Sequence, residues 1–461
     1  MSCPRAIRFL FTLGAMLVLP SLDSAATVRH YYIAAEDVVW DYAPGGRDLI
    51  HGIALPAPWR EKTRWNKTRY IEYTDASFSV RKQQPEWLGI LGPIIRAEVG
   101  DTILVYFLNR SQLPHSIHPH GVRYDKDNEG AAYLPYGKGA GVAPGERFTY
   151  LWIADKESGP ARGGPSSAVW WYHSHVDAEK EINAGLLGAI IITAAGIADA
   201  GGAPMDVDRE FVMMFTIFDE LHGKDAGLFH SINGYVFGNL PGLLIKQGER
   251  VRWYLLGMGN EKDLHTPHWH GKNVIYRGTH TDVVELLPGT MATADMVADN
   301  PGVWLLHCHV ADHMEAGMMV TYTIYSPLQP NCPVTFAVGD WSKVAGTSSI
   351  EIRNTTAKPI RQVSIMSGYL INALDLEPLI LAWFSPGPLQ PGQEQTVQVG
   401  SDLFSPGSNL GVAFYPSRVV YQDGTEWEPR HLGECFKVYW RDKDHPLLPV
   451  LPPQQLTAKE D

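Results

Sequence analysis

Cysteine is scarce, with four in 461 residues. One of them, Cys3, lies in an N-terminal segment expected to be removed, and Cys308 sits among histidines. Only Cys332 and Cys435 remain to pair. They form either one disulfide, tying the tail of the chain to its middle, or two free buried thiols. Basic residues are also outnumbered, 38 Lys and Arg against 50 Asp and Glu, giving a net charge of −12. That balance disfavours a polyanionic partner such as nucleic acid and leaves cations open as substrates. Past the N-terminus no apolar run is long enough to cross a bilayer, so no membrane span is expected. Long amphipathic helical patterns are lacking too, which points away from a helical fold.

The N-terminus reads CPRAIRFLFTLGAMLVLPSLDSAA, with Arg5 and Arg8, an apolar run from Phe9 to Pro20, and the small residues Ser24, Ala25 and Ala26. It resembles a secretory signal peptide, residues 1–26, cut near Ala26. The alternative is a buried helix or an anchor, but the run is shorter than the ~20 residues a span needs. Export places the chain outside the cell or in a periplasm, where disulfides persist.

What the chain has in abundance is strand and turn. Short β-branched and aromatic runs such as TILVYFLN, RFTYLWIA, VRWYLLGM and VTYTIY alternate with Gly, Pro and Asp turns. The expected class is all-β, made of Greek-key sandwiches. Composition breaks at GIADAGGAPMDVDR (196–209), a small-residue linker, and at SPLQPNCP (326–333). The units are therefore 27–195, 210–326 and 334–461. The first two echo each other: a Gly-Asp or Gly-Glu turn before a strand, a histidine cluster, a Pro-Gly turn, a second cluster. The third alternates like a further small sandwich but has no cluster.

The clusters carry the chemistry. HPHG holds His118 and His120, and WYHSHVD holds His173 and His175. HTPHWHG holds His265, His268 and His270, and LLHCHVADHMEAGM holds His307, Cys308, His309, His313 and Met318. Ten of the 18 histidines fall in these four stretches, a concentration that packing does not explain and metal binding does. On a strand, each His-x-His pair aims both imidazoles to one side. Four pairs supply eight nitrogen donors, more than one zinc or copper ion accepts, so a cluster of several metals is implied. Cys308 with His265 and His313, plus Met318, is the His₂Cys set with a weak thioether that marks a blue-copper electron-transfer site. Zinc does not change oxidation state, so a redox ligand set beside a zinc cluster serves no purpose. Strand alternation puts Cys308 on one face and His307 and His309 on the other, giving two covalent paths from the entry metal to the cluster.

These four motifs together resemble the signature of the multicopper oxidases. WLGILGPIIRAEVGDT, INGYVFGNLPGL, WYLLGMGNEKDLHTPHWHG and PGVWLLHCHVADH are similar to segments of the ceruloplasmin and hephaestin branch. The likeness runs through about 30–326. It implies cupredoxin folds for the first two units and four coppers per site. His118 and His268 then hold the type 2 copper. His120, His173 and His309 hold one type 3 copper, and His175, His270 and His307 its partner. His265, Cys308, His313 and Met318 hold type 1. Ser174 stands where the second unit has Cys308, so the first unit is expected to lack a blue copper. The implied activity is oxidation of a donor in four one-electron steps with reduction of O₂ to water.

Four cluster ligands come from each unit, so the cluster must lie between two domains. A homotrimer, each junction between chains making one cluster, is favoured over a monomer with an internal one. For the donor, the resemblance implies a metal-ion site near the type 1 histidines at Asp312, Asp225 and His230. Asp225 replaces the family's glutamate and shortens its reach. The plain alternative is that Asp312 is a solvated loop acid and His230 a strand-end side chain. As a site these residues would hold Fe(II) or Mn(II), and ferroxidase-like oxidation is the main expected activity, oxidation of phenols at an exposed type 1 edge the second, and a non-catalytic copper-binding or structural protein the third. Asp177 is either an acid orienting His175 or a turn carboxylate. His115 lies near the first cluster, but the motif does not use it.

Overall fold

The computed structural model describes residues 26–224, 227–260, 262–325, 332–338, 348–370, 376–384, 388–399, 411–428 and 437–440. The expected signal segment therefore lies outside the described residues, save Ala26.

The first sandwich has two four-stranded sheets. One runs in the order Arg64–Tyr73, Val28–Asp41, Thr102–Asn109, Arg147–Ile153, and the other Ile95–Glu98, Leu187–Thr193, Ser167–His173, His118–Pro119. Each mixes one parallel pairing, Val28–Asp41 with Thr102–Asn109 and Ile95–Glu98 with Leu187–Thr193, into antiparallel neighbours. The second sandwich repeats the plan. Arg209–Asp219 runs parallel to Arg250–Gly257, and Leu244–Lys246 parallel to Met319–Tyr325, beside Gly302–Cys308 and Pro267–Trp269. Both are cupredoxin-like Greek-key sandwiches, as expected. In the third unit, Val334–Val338, Ser348–Asn354 and Glu394–Val399 form one sheet, and a five-stranded sheet built on Ile360–Leu370 and Gly411–Tyr421 forms a second.

Alternation along the strands explains how the first two sandwiches join. In Arg209–Asp219, Phe211, Met213 and Phe215 enter the core of the second sandwich, while Val212, Met214 and Phe218 face the other way. There they meet Val169, Trp171, Leu187, Ala189 and Ile191 from the first sandwich. The strand LGAIIIT is accordingly buried along its whole length, with Ile190 and Ile192 in the core of its own sandwich. Such a strand reads as a continuous apolar run because it has no wet face. Each large apolar side chain buried here contributes about 1.5–3 kcal/mol relative to exposure. Charges cross the same interface. Buried Lys67 pairs with Glu220, which also accepts the Tyr42 hydroxyl at 2.5 Å, and Arg96 pairs with Glu210 at 3.0 Å.

Among the described residues no helix is long and apolar enough to cross a membrane. Cys332 is disulfide-bonded, while Cys435, its expected partner, lies outside the described residues.

Candidate metal centre

Cys308 ends the strand Gly302–Cys308 and is fully buried in the second core. Its Sγ lies 3.9 Å from His265 Nδ1 and 3.7 Å from His313 Nδ1. An ion held about 2.1–2.3 Å from three donors in a plane would set those donors about 3.6–4.0 Å apart, so the spacing fits a trigonal first-row metal site. His313 comes from the short helix Ala311–Glu315, and Gly317 at φ 96° turns the chain back so that buried Met318 follows. The Cys308 N–H donates to the Met318 carbonyl at 3.1 Å, fixing the two segments together. Burial pushes the Cys308 thiol up, but hydrogen bonds from His265 and His313 and from the N–H groups of Thr266 and Val310 outweigh it and bring it down to about 6. The thiolate is the form that binds metal. Buried Asp263 holds His265 from behind: Nε2 lies 3.3 Å from its Oδ1, leaving Nδ1 for the sulfur side.

On the other side of the strand end, register assembles the imidazoles. His268 is the cross-strand partner of His307, and His118 that of His173, so members of different His-x-His pairs face the same way. Each half then repeats the other. His120 Nε2 lies 3.2 Å from His173 Nε2, and His270 Nε2 lies 3.2 Å from His307 Nε2. His118 packs on His175 with ring centroids 5.1 Å apart, and His268 on His309 at 5.2 Å. Carbonyl oxygens accept from the far nitrogens: Glu129 from His118 Nδ1 (2.6 Å), Ser174 from His173 Nδ1 (2.8 Å), Asp282 from His268 Nδ1 (3.0 Å) and Cys308 from His307 Nδ1 (2.8 Å). A carbonyl only accepts, so Nδ1 carries the proton and Nε2 is left bare for a metal. Burial, and then neighbouring histidines, push His120 and His307 down to about 4; burial likewise takes His173 to about 3. Neutral imidazoles are what copper requires.

The structure thus brings the eight expected cluster histidines into two quartets. Among the described residues no ring contact or hydrogen bond joins one quartet to the other, and the histidines that depress His120 and His307 belong to their own sets. The second quartet has an open side, while His118, His120 and His175 of the first are half-buried. His270 and His309 are exposed, and His268 and His270 border a groove of about 880 Å³ with Arg250, Asp282 and Asp299.

The donor residues are placed unevenly. The ring of His230 lies 4.9 Å from that of His313, and its Nδ1 is buried without a hydrogen-bond partner. Exposed Asp312 is close enough to act on it electrostatically. Asp225 lies outside the described residues. The type 1 edge is less open than expected: His265 is 1 % exposed and His313 4 %, with His230 of the strand Leu228–Ile232 packed against His313. Asp177 is the turn carboxylate, paired with Lys180 at 2.6 Å. Sequence reasoning missed Asp263. Its only signal was a difference between the repeats, since Leu113 occupies the matching place in the first unit.

Fold and donor sets define a class: paired sandwiches that offer one thiolate site and two histidine quartets for copper. Residues 88–196 and 214–327 each match a multicopper oxidase domain, and the chain belongs to the multicopper oxidase family. It is 39% identical to human ferroxidase HEPHL1 over 362 residues, 70% of this chain and 31% of that protein. With human ceruloplasmin the identity is 38% over 68% of this chain and 34% of that one. A crystal structure of a multicopper oxidase is similar at TM-score 0.48 and 24% identity, over 64% of this chain and 89% of the other. The chain spans about a third of the length of HEPHL1 and ceruloplasmin.

Proposed function

We propose that the chain is a multicopper oxidase that takes electrons one at a time from Fe(II) outside His313 and uses them to reduce O₂ to water. The observation that carries this is the two-sided end of one strand. Cys308 faces His265 and His313 in the core, while its neighbours His307 and His309 face a histidine quartet. His265, Cys308, His313 and Met318 would hold a type 1 copper. His118 and His268 would hold type 2, His120, His173 and His309 one type 3 ion, and His175, His270 and His307 the other. Copper at these positions supplies one-electron redox steps at the thiolate and a four-electron delivery to O₂ at the cluster. Cys308 and its two peptide neighbours provide the short covalent route between them. Buried Asp263 keeps His265 oriented through that cycle.

Fe(II) is favoured over a phenol by the covered type 1 edge. A bulky aromatic cannot touch His313 at 4 % exposure, whereas His230, its ring tilted against that of His313, has an Nδ1 without a hydrogen-bond partner, with Asp312 alongside. Burial keeps His230 neutral, down to about 4, so its lone pair is free for a cation. Asp225 would complete the set. HEPHL1 carries the name ferroxidase, which supports the same donor class. The variants Asp312→Ala and His230→Gln are expected to lower Fe(II) turnover on the order of 10–100-fold while phenol turnover stays near wild type. Equal loss of both activities would rule out a dedicated iron site.

A homotrimer completes the cluster. Among the described residues no ring contact or hydrogen bond joins the two quartets of one chain, so the first quartet of one copy would meet the second of the next. The disulfide at Cys332 supports an exported, oxidising location.

A further inference from the structure

The two sandwiches match position by position around Cys308, and the match leads to a buried ion pair. His115 stands three residues before His118, as His265 stands three before His268. Glu181 stands four before Gly185 (φ 106°), as His313 stands four before Gly317 (φ 96°), and each lies on a short helix, Ala178–Ala184 and Ala311–Glu315. Leu186 takes the place of Met318 and Ser174 that of Cys308. The backbone confirms the equivalence: Ser174 N–H donates to the Leu186 carbonyl at 3.0 Å, as Cys308 N–H does to Met318 at 3.1 Å. A two-residue difference in loop length hides this alignment when the motifs are counted forward from their histidines.

At the place of the copper, the first sandwich holds a bond between side chains. His115 Nδ1 lies 2.6 Å from Glu181 Oε1, and the two residues are 3 % and 6 % exposed. No donor there is left over for a metal. His115 Nε2 is held by Ser111 Oγ at 2.9 Å, and Glu181 Oε2 accepts the N–H groups of Val176 and Asp177 at 2.8 and 2.9 Å. Those two residues directly follow His175. Ser174 Oγ accepts from Ser116 N–H at 2.9 Å, and Ser116 Oγ from His175 N–H at 3.0 Å. The network thus ties the segment of His118 and His120 to that of His173 and His175.

We propose that His115 and Glu181 are positioning residues that replace a copper ion as the cross-link of the first sandwich, holding its histidine quartet in register before any metal arrives. This rests on the cluster role proposed for the quartet. In the second sandwich the strands pair in the same way, but the place of the His115–Glu181 bond is taken by His265, Cys308 and His313, whose cross-link the type 1 copper would complete, so the first quartet is the preorganised half of the cluster.

The test uses the full-length protein, loaded with copper and titrated against a chelator. Glu181→Gln and His115→Gln are each expected to weaken cluster copper binding about 10–100-fold, with the intense visible absorption of thiolate-bound copper at Cys308 unchanged per chain. A lower melting temperature with the full copper complement retained would overturn the proposal, because the pair would then be structural only. If both variants fail to fold, a second variant decides. Ser174→Cys, Glu181→His and Leu186→Met, combined in a Cys308→Ser background, should restore a blue thiolate-copper band, and its absence overturns the positional equivalence. Wild-type protein is measured first. Without a blue band there, the proposed oxidase function fails, and that outcome is separate from these.

Discussion

At the scale of single residues, the decisive property is that burial keeps His120, His173 and His307 neutral before metal binds. His173 is held at about 3, and His120 and His307 at about 4, against about 6.5 for an unfolded histidine. Lowered folded values mean that the unfolded chain binds more protons across this window, so stability is complete above about pH 6.5 and is lost as pH falls toward 4 and 3. The metal-free protein should therefore melt at progressively lower temperature from pH 7 to pH 4. Substituting His173→Gln should flatten that slope; a wild-type slope no steeper than the variant's would contradict the buried-neutral assignment. Copper loading at pH 7 should release almost no protons from these rings, which calorimetry in buffers of different ionisation enthalpy would measure. Which histidines come together was legible in the sequence, because His-x-His on a strand fixes the side both rings face. What orients them was not. The carbonyls of Glu129 and Asp282 and the carboxylate of Asp263 act through tertiary placement, and His230 reaches His313 from a strand some eighty residues earlier in the chain.

At the scale of elements, each first His-x-His motif ends in a glycine whose conformation sets where the rings point. Gly121 (φ 71°) and Gly271 (φ 73°) take left-handed backbone, and a Cβ on either would fall inside the ring of Trp170 or Trp304, at 1.9 and 2.3 Å. The glycine therefore serves two needs, a left-handed turn and close approach to an indole face. Gly271→Ala should cost about 1–3 kcal/mol from backbone conformation alone and more from displacing Trp304, which packs against the second core. The expected result is a lower denaturant midpoint together with loss of cluster copper ahead of the blue copper. Loss of both metals in step would place the damage in the core instead. The glycines were visible in HPHG and HTPHWHG, but their indole partners were not, since Trp170 and Trp304 lie on strands brought alongside only by the sheet register. Strand periodicity likewise gave the all-β class, yet it could not show that LGAIIIT is buried on both faces, because a continuous apolar run does not say what covers its second side.

At the scale of the whole molecule, the two sandwiches of one chain share a packed interface, and no ring contact or hydrogen bond among the described residues joins their two quartets. Val212, Met214 and Phe218 seal one sandwich against Val169, Trp171 and Ile191 of the other, and the buried Lys67–Glu220 pair fixes the orientation, since breaking such a pair costs about 3–5 kcal/mol. In the proposed trimer, the four nitrogens that each half lacks come from another copy, whose first quartet would sit over the groove beside His268 and His270. Copper content should consequently follow assembly. Charge reversal at the groove rim, Arg250→Glu with Lys272→Glu, is expected to yield monomers by sedimentation that keep the blue absorption of Cys308, because that site is built wholly within the second sandwich. The same monomers should lose the remaining copper and all O₂ reduction, since no chain alone supplies eight converging imidazoles. Mixing them with copies disabled only at His118 and His120 should restore cluster copper and O₂ reduction, because the intact first quartet of the one copy can dock on the intact groove and second quartet of the other. A monomer that retained its full copper and consumed O₂ would show instead that the two quartets of one chain can close on each other, and the trimeric arrangement would have to be abandoned.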